Sequence, residues 1–312
     1  MEPAVSVCIP ARRNNPWFCQ AVRSALEQSF GDLEVIISDD SGGSLREAVQ
    51  TMTDPRVRYL VNDVPLGLAR NHVAALDAAT GRYVAFLHDD DEWHHDHLRL
   101  ASAVLERNPD VGLVLSGCDE VDEAGALLRR RPTTMRPGQQ EDALAELLGD
   151  DVMLMLPSAA VFRRTALEAN ARPWPDVPAA DMTMFVDVAA AGWRVFYVDR
   201  ALVRYRVHPS QVGSDQLVHR DAVVRVWQSY AFGSHSHEQL RRRRLAVDLL
   251  ARAGELLKRG DTVAARRDLA SARALHRRAG FTRAVVLATL TCAPRLAAPA
   301  GRVWEKFKAL SP

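Results

Sequence analysis

Cysteine is scarce in this chain: four in 312 residues, at positions 8, 19, 118 and 292, far apart and with no CxxC pair. That spacing argues against a cysteine-built zinc site and against a disulfide framework, and a reducing cytoplasm is the expected compartment. Long apolar runs are lacking too. The longest uncharged stretches, residues 152–162 and 284–294, reach about half of the roughly 20 residues that a bilayer-spanning helix needs. No basic-then-apolar leader precedes Val5, so neither a secretory signal nor a transmembrane span is expected. No GxGxxG follows the first strand-like run, which excludes the dinucleotide fingerprint of nicotinamide oxidoreductases. What is present, 47% hydrophobic and 25% charged residues, excludes disorder and fibre and suffices for one large domain or two modest ones.

The formal net charge of +1 conceals an asymmetry. Residues 1–235 carry 23 Lys+Arg and 33 Asp+Glu, whereas residues 236–312 carry 17 and 6. An acidic front is joined to a basic tail. Such a split suits a tail that meets something anionic, or arginines that coat the wet faces of surface helices.

The front half alternates strand and helix signals. Residues 5–10, 33–38, 57–61 and 83–87 are short β-rich runs, and apolar residues at helical spacing predict helices over 17–28, 45–52 and 68–79. Repeated βα units imply a mostly parallel sheet covered on both faces, with ligands beyond the carboxyl ends of the strands. Arg12-Arg13-Asn14, Asp39-Asp40 and Asp89-Asp90-Asp91 each follow a strand, so three polar segments should reach one edge. In the middle, residues 111–116, 159–162, 194–198 and 202–205 read as strands. Residues 140–148 and 181–191 read as helices, the second after the rigid loop Trp174-Pro175-Asp176-Val177-Pro178. From His219 the pattern is helical, with an arginine-rich hairpin over 239–259 and 262–278. The final stretch, with Val285, Leu287, Leu290 and Leu296 among Arg283, Arg295, Arg302, Lys306 and Lys308, fits two roles: an amphipathic helix on anionic lipid, or a helix closing on the catalytic domain or a dimer mate.

Three adjacent carboxylates on a turn raise one another's pKa unless a cation shares them. A hard divalent ion such as Mg²⁺ or Mn²⁺, held together with a substrate's phosphates, removes the repulsion; a merely solvated acidic turn is the plain alternative.

These segments in this order resemble the family 2 glycosyltransferases of GT-A fold. The likeness rests on Val5-Ser6-Val7-Cys8-Ile9-Pro10, Glu34 through Ser41, Gly67-Leu68-Ala69-Arg70-Asn71 and Ala79 through Asp91. Ala180-Asp181 with the Gly192-Trp193 end of its helix, and Tyr205-Arg206-Val207-His208-Pro209-Ser210, resemble later elements. The resemblance implies an α/β, Rossmann-like, mostly parallel sheet with helices on both faces. Residues 1–110 would then form the nucleotide-sugar-binding half, residues 111–218 the acceptor-binding half, and residues 219–312 a basic helical extension.

It also implies an inverting, metal-dependent hexosyltransferase-type enzyme that moves a single sugar from a nucleotide-diphosphate donor to an acceptor hydroxyl. Carried over by matching position, Asp181 is the general base. Pro10, Ala11, Arg12, Asp40, Arg70 and Asp89 line the nucleotide, and Asp90, Asp91 and His208 approach the metal, Mn²⁺ or Mg²⁺. A carboxylate at Asp40 suits the imide of uracil or thymine, so a UDP or dTDP donor is expected ahead of GDP. The acceptor is left open among glycan, lipid-linked saccharide and natural product. No nucleic-acid partner is expected, and the expected location is the cytoplasm, with peripheral contact at the inner membrane face open. The sequence departs from the family at His88, where the first Asp of the acidic motif is common, and at Ala180, where Glu is frequent. A non-catalytic scaffold with a degenerate site would begin with such changes and is the competing expectation. Residues 10–16 contain neither glycine nor lysine, against a nucleotidyltransferase phosphate loop, and no Gln-x-x-Arg-Trp of a processive synthase occurs. His94, His95 and His97 are expected at the surface.

Overall fold

A computed structural model describes residues 2–131, 133–149, 155–169 and 174–276. The chain divides into two compact units, Met1–Gln211 and Val212–Pro312.

The first unit is built on one sheet. Strands β1 (Val5–Ala11) and β2 (Leu33–Asp39) are buried at every residue, as continuous apolar runs must be when helices cover both faces. β3 (Val57–Val61) pairs with β2, and β4 (Tyr83–Phe86) with β1, all parallel. Helices α1 (Phe18–Leu26), α2 (Arg46–Gln50) and α3 (Leu68–Asp77) make the crossovers. The pairing of Ala11 with Asp39 brings the carboxyl ends of neighbouring strands level, and the polar segments that follow them emerge together.

Beyond β4 come β5 (Glu92–Trp93), α4 (His97–Arg107), β6 (Val111–Val121), β7 (Leu127–Arg130), β8 (Gly138–Gln139), α5 (Ala143–Leu148), β9 (Ala160–Arg163), α6 (Arg164–Glu168), α7 (Met182–Ala190) and β10 (Arg194–Arg206). The sheet order is β3-β2-β1-β4-β9-β6-β10-β5, with β7 on β6 and β8 on β10. It is mixed: β9 runs antiparallel to both β4 and β6, and β6 and β10 are again parallel. The two strands expected over 194–198 and 202–205 are one strand. Its register shifts between Val198 and Ala201, where a bulge absorbs the charged pair Asp199-Arg200. Gly117 of β6 faces this irregularity, and a Cβ there would lie 2.9 Å from the Arg200 carbonyl oxygen.

The second unit holds α8 (Gln216–Gln228), α9 (His235–Lys258) and α10 (Thr262–Leu275). Asp215 caps α8 and Asp261 caps α10, each accepting from backbone N–H groups of the first turn. Several of its arginines are internal: Arg252 on α9 bridges Asp221 of α8 and Asp268 of α10, both at 2.7 Å, and Arg244 pairs with buried Asp248 at 2.9 Å. The amphipathic stretch expected between Arg283 and Lys308 lies outside the described residues. Among the described residues no helix is long and apolar enough to cross a membrane.

Candidate active site

The carboxyl edge of β1, β2 and β4 carries the polar segments, and backbone hydrogen bonds lock them to one another. Asp40 N–H donates to the Ala11 carbonyl at 2.8 Å, so Pro10, Ala11 and Arg12 run beside Asp40. Buried Asn71 on α3 ties the same edge, donating to the carbonyls of Ala11 (3.2 Å) and Ser38 (3.1 Å) and accepting from Ser38 Oγ at 2.7 Å. Asp40 is 3% exposed. Its Oδ1 accepts from Leu66 N–H (2.6 Å) and Asn62 Nδ2 (3.1 Å), and its Oδ2 from Gly67 N–H (2.9 Å). Of the four acceptor positions of a carboxylate, three hold the loop over residues 62–67. Gly67 carries φ +83°, a conformation that L side chains rarely adopt. Arg70, in the first turn of α3, is exposed and has no hydrogen-bond or ion-pair partner among the described residues.

The turn after β4 is held from three sides. Ser158 Oγ accepts from His88 N–H at 3.1 Å and donates to Asp91 Oδ2 at 2.6 Å, and Asp91 Oδ1 accepts from Arg206 N–H at 3.0 Å. Asp91 is 1% exposed. Burial pushes its pKa up to about 7, and the charge of Asp90 adds to the shift. Asp89 is driven to about 7 by burial and then by Asp90, while the Arg12 backbone N–H, donating to its carboxylate, opposes the change. Mutual repulsion in the acidic triplet is therefore realised. His88, Asp90 and Asp91 each offer a ligand atom within 4.8 Å of the others, a donor set of imidazole nitrogen and carboxylate oxygen that fits a divalent ion.

His208 Nε2 lies 2.9 Å from Asp90 Oδ2, and its Nδ1 lies 2.8 Å from Ser210 Oγ. Trp17, at the start of α1, covers the His208 ring at 4.6 Å between centroids. Arg206 is 2% exposed: its guanidinium donates to the carbonyls of Asp90 (3.1 Å), Asp122 (3.0 Å) and Glu123 (3.3 Å) and lies over the Trp17 ring. Asp181 immediately precedes α7. Its pKa is raised by burial, an effect that the charge of His88 opposes.

Asp89, Asp90, Asp91 and His208 thus belong to one linked cluster, with Arg12 attached through its backbone and Asp181 within electrostatic reach of His88; Pro10, Ala11 and Asp40 lie on the adjoining strand ends. Arg70 touches none of them. The sequence reading did not single out Ser158, Trp17, His72 or the guanidinium of Arg206. Trp17 opens the 17–28 stretch, whose apolar spacing signals only a helix, and an isolated serine or arginine carries no local signal. His97 departs from expectation. His94 and His95 are exposed, but His97 is 1% exposed, stacked on Trp93 at 4.7 Å with both ring nitrogens unpartnered, because the first turn of α4 faces the sheet.

The model for Glycosyl transferase family 2 matches residues 6–170. The chain belongs to this family. The GalNAc(5)-diNAcBac-PP-undecaprenol beta-1,3-glucosyltransferase of Campylobacter jejuni is similar to this family 2 chain, at 28% identity over 212 residues, 66% of this chain and 65% of the relative. Across the first curated relatives the matched stretch spans about a third to two thirds of their own length. Among solved structures, Staphylococcus aureus TarS 1-349 in complex with UDP superposes with a TM-score of 0.60 at 16% identity, covering 89% of this chain and 90% of that one. The mannosyltransferase PcManGT of Pyrobaculum calidifontis, in complex with GDP-Man and Mn²⁺, gives 0.59 at 19%, covering 98% and 88%. These likenesses establish the GT-A fold for the family 2 chain.

Proposed function

We propose that this chain transfers a single sugar from a nucleoside-diphosphate sugar to an acceptor hydroxyl, with inversion and with the aid of a divalent metal. The observation that carries the reading is the convergence of His88, Asp90 and Asp91 within 4.8 Å, with Asp181 in electrostatic reach of His88, at the strand edge where open α/β sheets bind ligands.

In this reading residues 1–110 bind the donor and residues 111–218 shape the acceptor side. Pro10, Ala11 and Arg12 wall the nucleoside, the remaining acceptor position of Asp40 takes a base N–H, and Arg70 offers an uncommitted guanidinium to phosphate. A single imide N–H donated to that position favours UDP or dTDP over GDP; the UDP and GDP-Man complexes of the structural neighbours support the donor class.

Asp90 and Asp91, with His88 and His208 beside them, would hold Mn²⁺ or Mg²⁺, which supplies a Lewis acid for charge developing on the departing diphosphate. Asp181 takes the proton of the acceptor hydroxyl. Burial makes it a stronger base than a solvated aspartate, matching the need of a weak nucleophile near neutral pH. Arg206 and Ser158 keep the acidic turn rigid while charge moves. The name of the Campylobacter relative supports a lipid-linked saccharide as acceptor, which would put the protein at the cytoplasmic face of a membrane.

The test is a thermal-shift series of UDP-, dTDP- and GDP-sugars with and without Mn²⁺, since a ligand that binds only the folded state raises apparent stability. A metal-dependent rise with one donor base is expected. Identical melting with every donor, with or without the ion, would remove the proposal.

A further inference from the structure

His88 stands where the family places a carboxylate, and the residues behind it dictate which of its nitrogens is available. His72 is 1% exposed on α3, and its Nδ1 lies 2.8 Å from the Leu68 carbonyl oxygen. Only an N–H fits there, so the neutral ring bears its lone pair on Nε2. That atom lies 3.3 Å from His88 Nε2. Two bare nitrogens or two N–H groups at this separation repel, so His88 Nε2 must be the donor and the lone pair of neutral His88 falls on Nδ1.

Nδ1 lies 4.0 Å from Asp91 Oδ2, and His88, Asp90 and Asp91 each offer a ligand atom within 4.8 Å of the others. Ser158 cannot bridge the gap, because its hydroxyl hydrogen is already given to Asp91 and its oxygen accepts from His88 N–H. The lone pair on Nδ1 of the neutral His88 ring and the oxygens of ionised Asp91 therefore converge. The separation exceeds a hydrogen bond, yet two metal–ligand bonds of about 2 Å span it.

We propose that His88 Nδ1 is a ligand of the divalent ion at this site, that His72 is the positioning residue which aims it, and that the mixed nitrogen–oxygen set selects Mn²⁺ over Mg²⁺. The inference rests on the metal reading of the site given above and adds to it the identity of one ligand and the class of ion. Imidazole suits first-row transition ions, whereas Mg²⁺ prefers oxygen and retains its waters. An Asp at position 88 would present oxygen alone and would not need His72.

The experiment uses the full chain with Mn²⁺ and UDP. Electron spin-echo modulation from ¹⁴N is read at the bound Mn²⁺ in a His208→Ala background, so that His208 cannot supply the signal. Directly bound imidazole nitrogen is expected in His208→Ala and should vanish in His88→Asp/His208→Ala. By calorimetric titration, His88→Asp should lower the Mn²⁺/Mg²⁺ affinity ratio by about tenfold or more. His72→Phe, which keeps the ring volume against Phe86 but removes the acceptor, should weaken Mn²⁺ about 10–100-fold, as loss of an outer-shell partner does. His72→Gln, whose amide oxygen can accept from His88, should restore part of it, and circular dichroism verifies folding of each variant. Mn²⁺ bound without a nitrogen signal in His208→Ala, or an unchanged ion ratio in His88→Asp, overturns this inference alone. A chain that binds neither ion with UDP overturns the metal reading as well.

Discussion

Asp90 and His208, 118 positions apart, meet at 2.9 Å, and this contact joins the acidic turn after β4 to the segment that follows β10. Ser210 holds the other nitrogen of the imidazole, and Arg13 donates to the Ser210 carbonyl at 3.1 Å. Removing the carboxylate of Asp90 takes away the oxygen that an ion would use and leaves His208 without its partner. We expect Asp90→Asn to reduce Mn²⁺-dependent UDP affinity by about 10²-fold, and His208→Ala to reduce it by about tenfold or less, because a ligand carboxylate is lost in the first case and one imidazole in the second. Isothermal titration of UDP with Mn²⁺ present checks the order; equal losses would contradict the larger role given to Asp90.

Asp181→Asn should lower turnover by about 10²–10⁴-fold, the span of general-base contributions, while donor affinity stays within about threefold. Because burial raises the pKa of Asp181, wild-type turnover should fall as pH drops through a value above the ordinary carboxylate range. Initial rates between pH 5 and 8, with binding measured in parallel, decide this. Undiminished turnover in the variant would remove the assigned base.

His97 sets an acid limit on stability. Its pKa is lowered by burial to about 3, against 6.5 for the ordinary imidazole. Between those values the unfolded chain binds a proton that the folded chain refuses, so stability falls as pH drops below about 6.5. For one such group the slope is about 1.4 kcal/mol per pH unit. His97→Phe, which retains a ring against Trp93, should therefore gain about 2 kcal/mol more over wild type at pH 5 than at pH 7.5. Urea unfolding at both pH values reads the difference; a gain that does not change with pH would mean that His97 is not buried neutral.

Arg206→Met should destabilise the first unit by about 3 kcal/mol or more, since three carbonyl acceptors lose a charged donor at once and the Asp90 carbonyl loses its tether. Arg206→Lys should recover less than half, because a single ammonium cannot match the planar fork that reaches three carbonyls on two separate backbone segments. Chemical denaturation of both variants is the check, and equal stability of Lys and Arg at this position would contradict the account.

Much of the first 110 residues was legible because strands β1 and β2 are buried along their whole length and so appear as unbroken apolar runs closed by polar turns. The four strands β1 to β4 fall within a residue of their expected ends, and the parallel pairing brings Arg12, Asp40 and Asp89 to one edge as the alternation implied. Short elements were not legible. β5 and β8, two residues each, exist only because a neighbouring strand pairs with them, and β10 reads as two strands because its bulge is charged.

The acidic triplet, the departure at His88 and the candidate base at Asp181 could be named from residue type and order, since the chemistry of a carboxylate or an imidazole is intrinsic to its side chain. Which nitrogen of His88 carries the lone pair, whether Asp40 is free or holds a loop, and whether His97 meets water or the sheet depend on atoms dozens of residues away. Chain folding alone brings those atoms within hydrogen-bonding distance, and at that range burial and partner geometry, not residue identity, set protonation and direction.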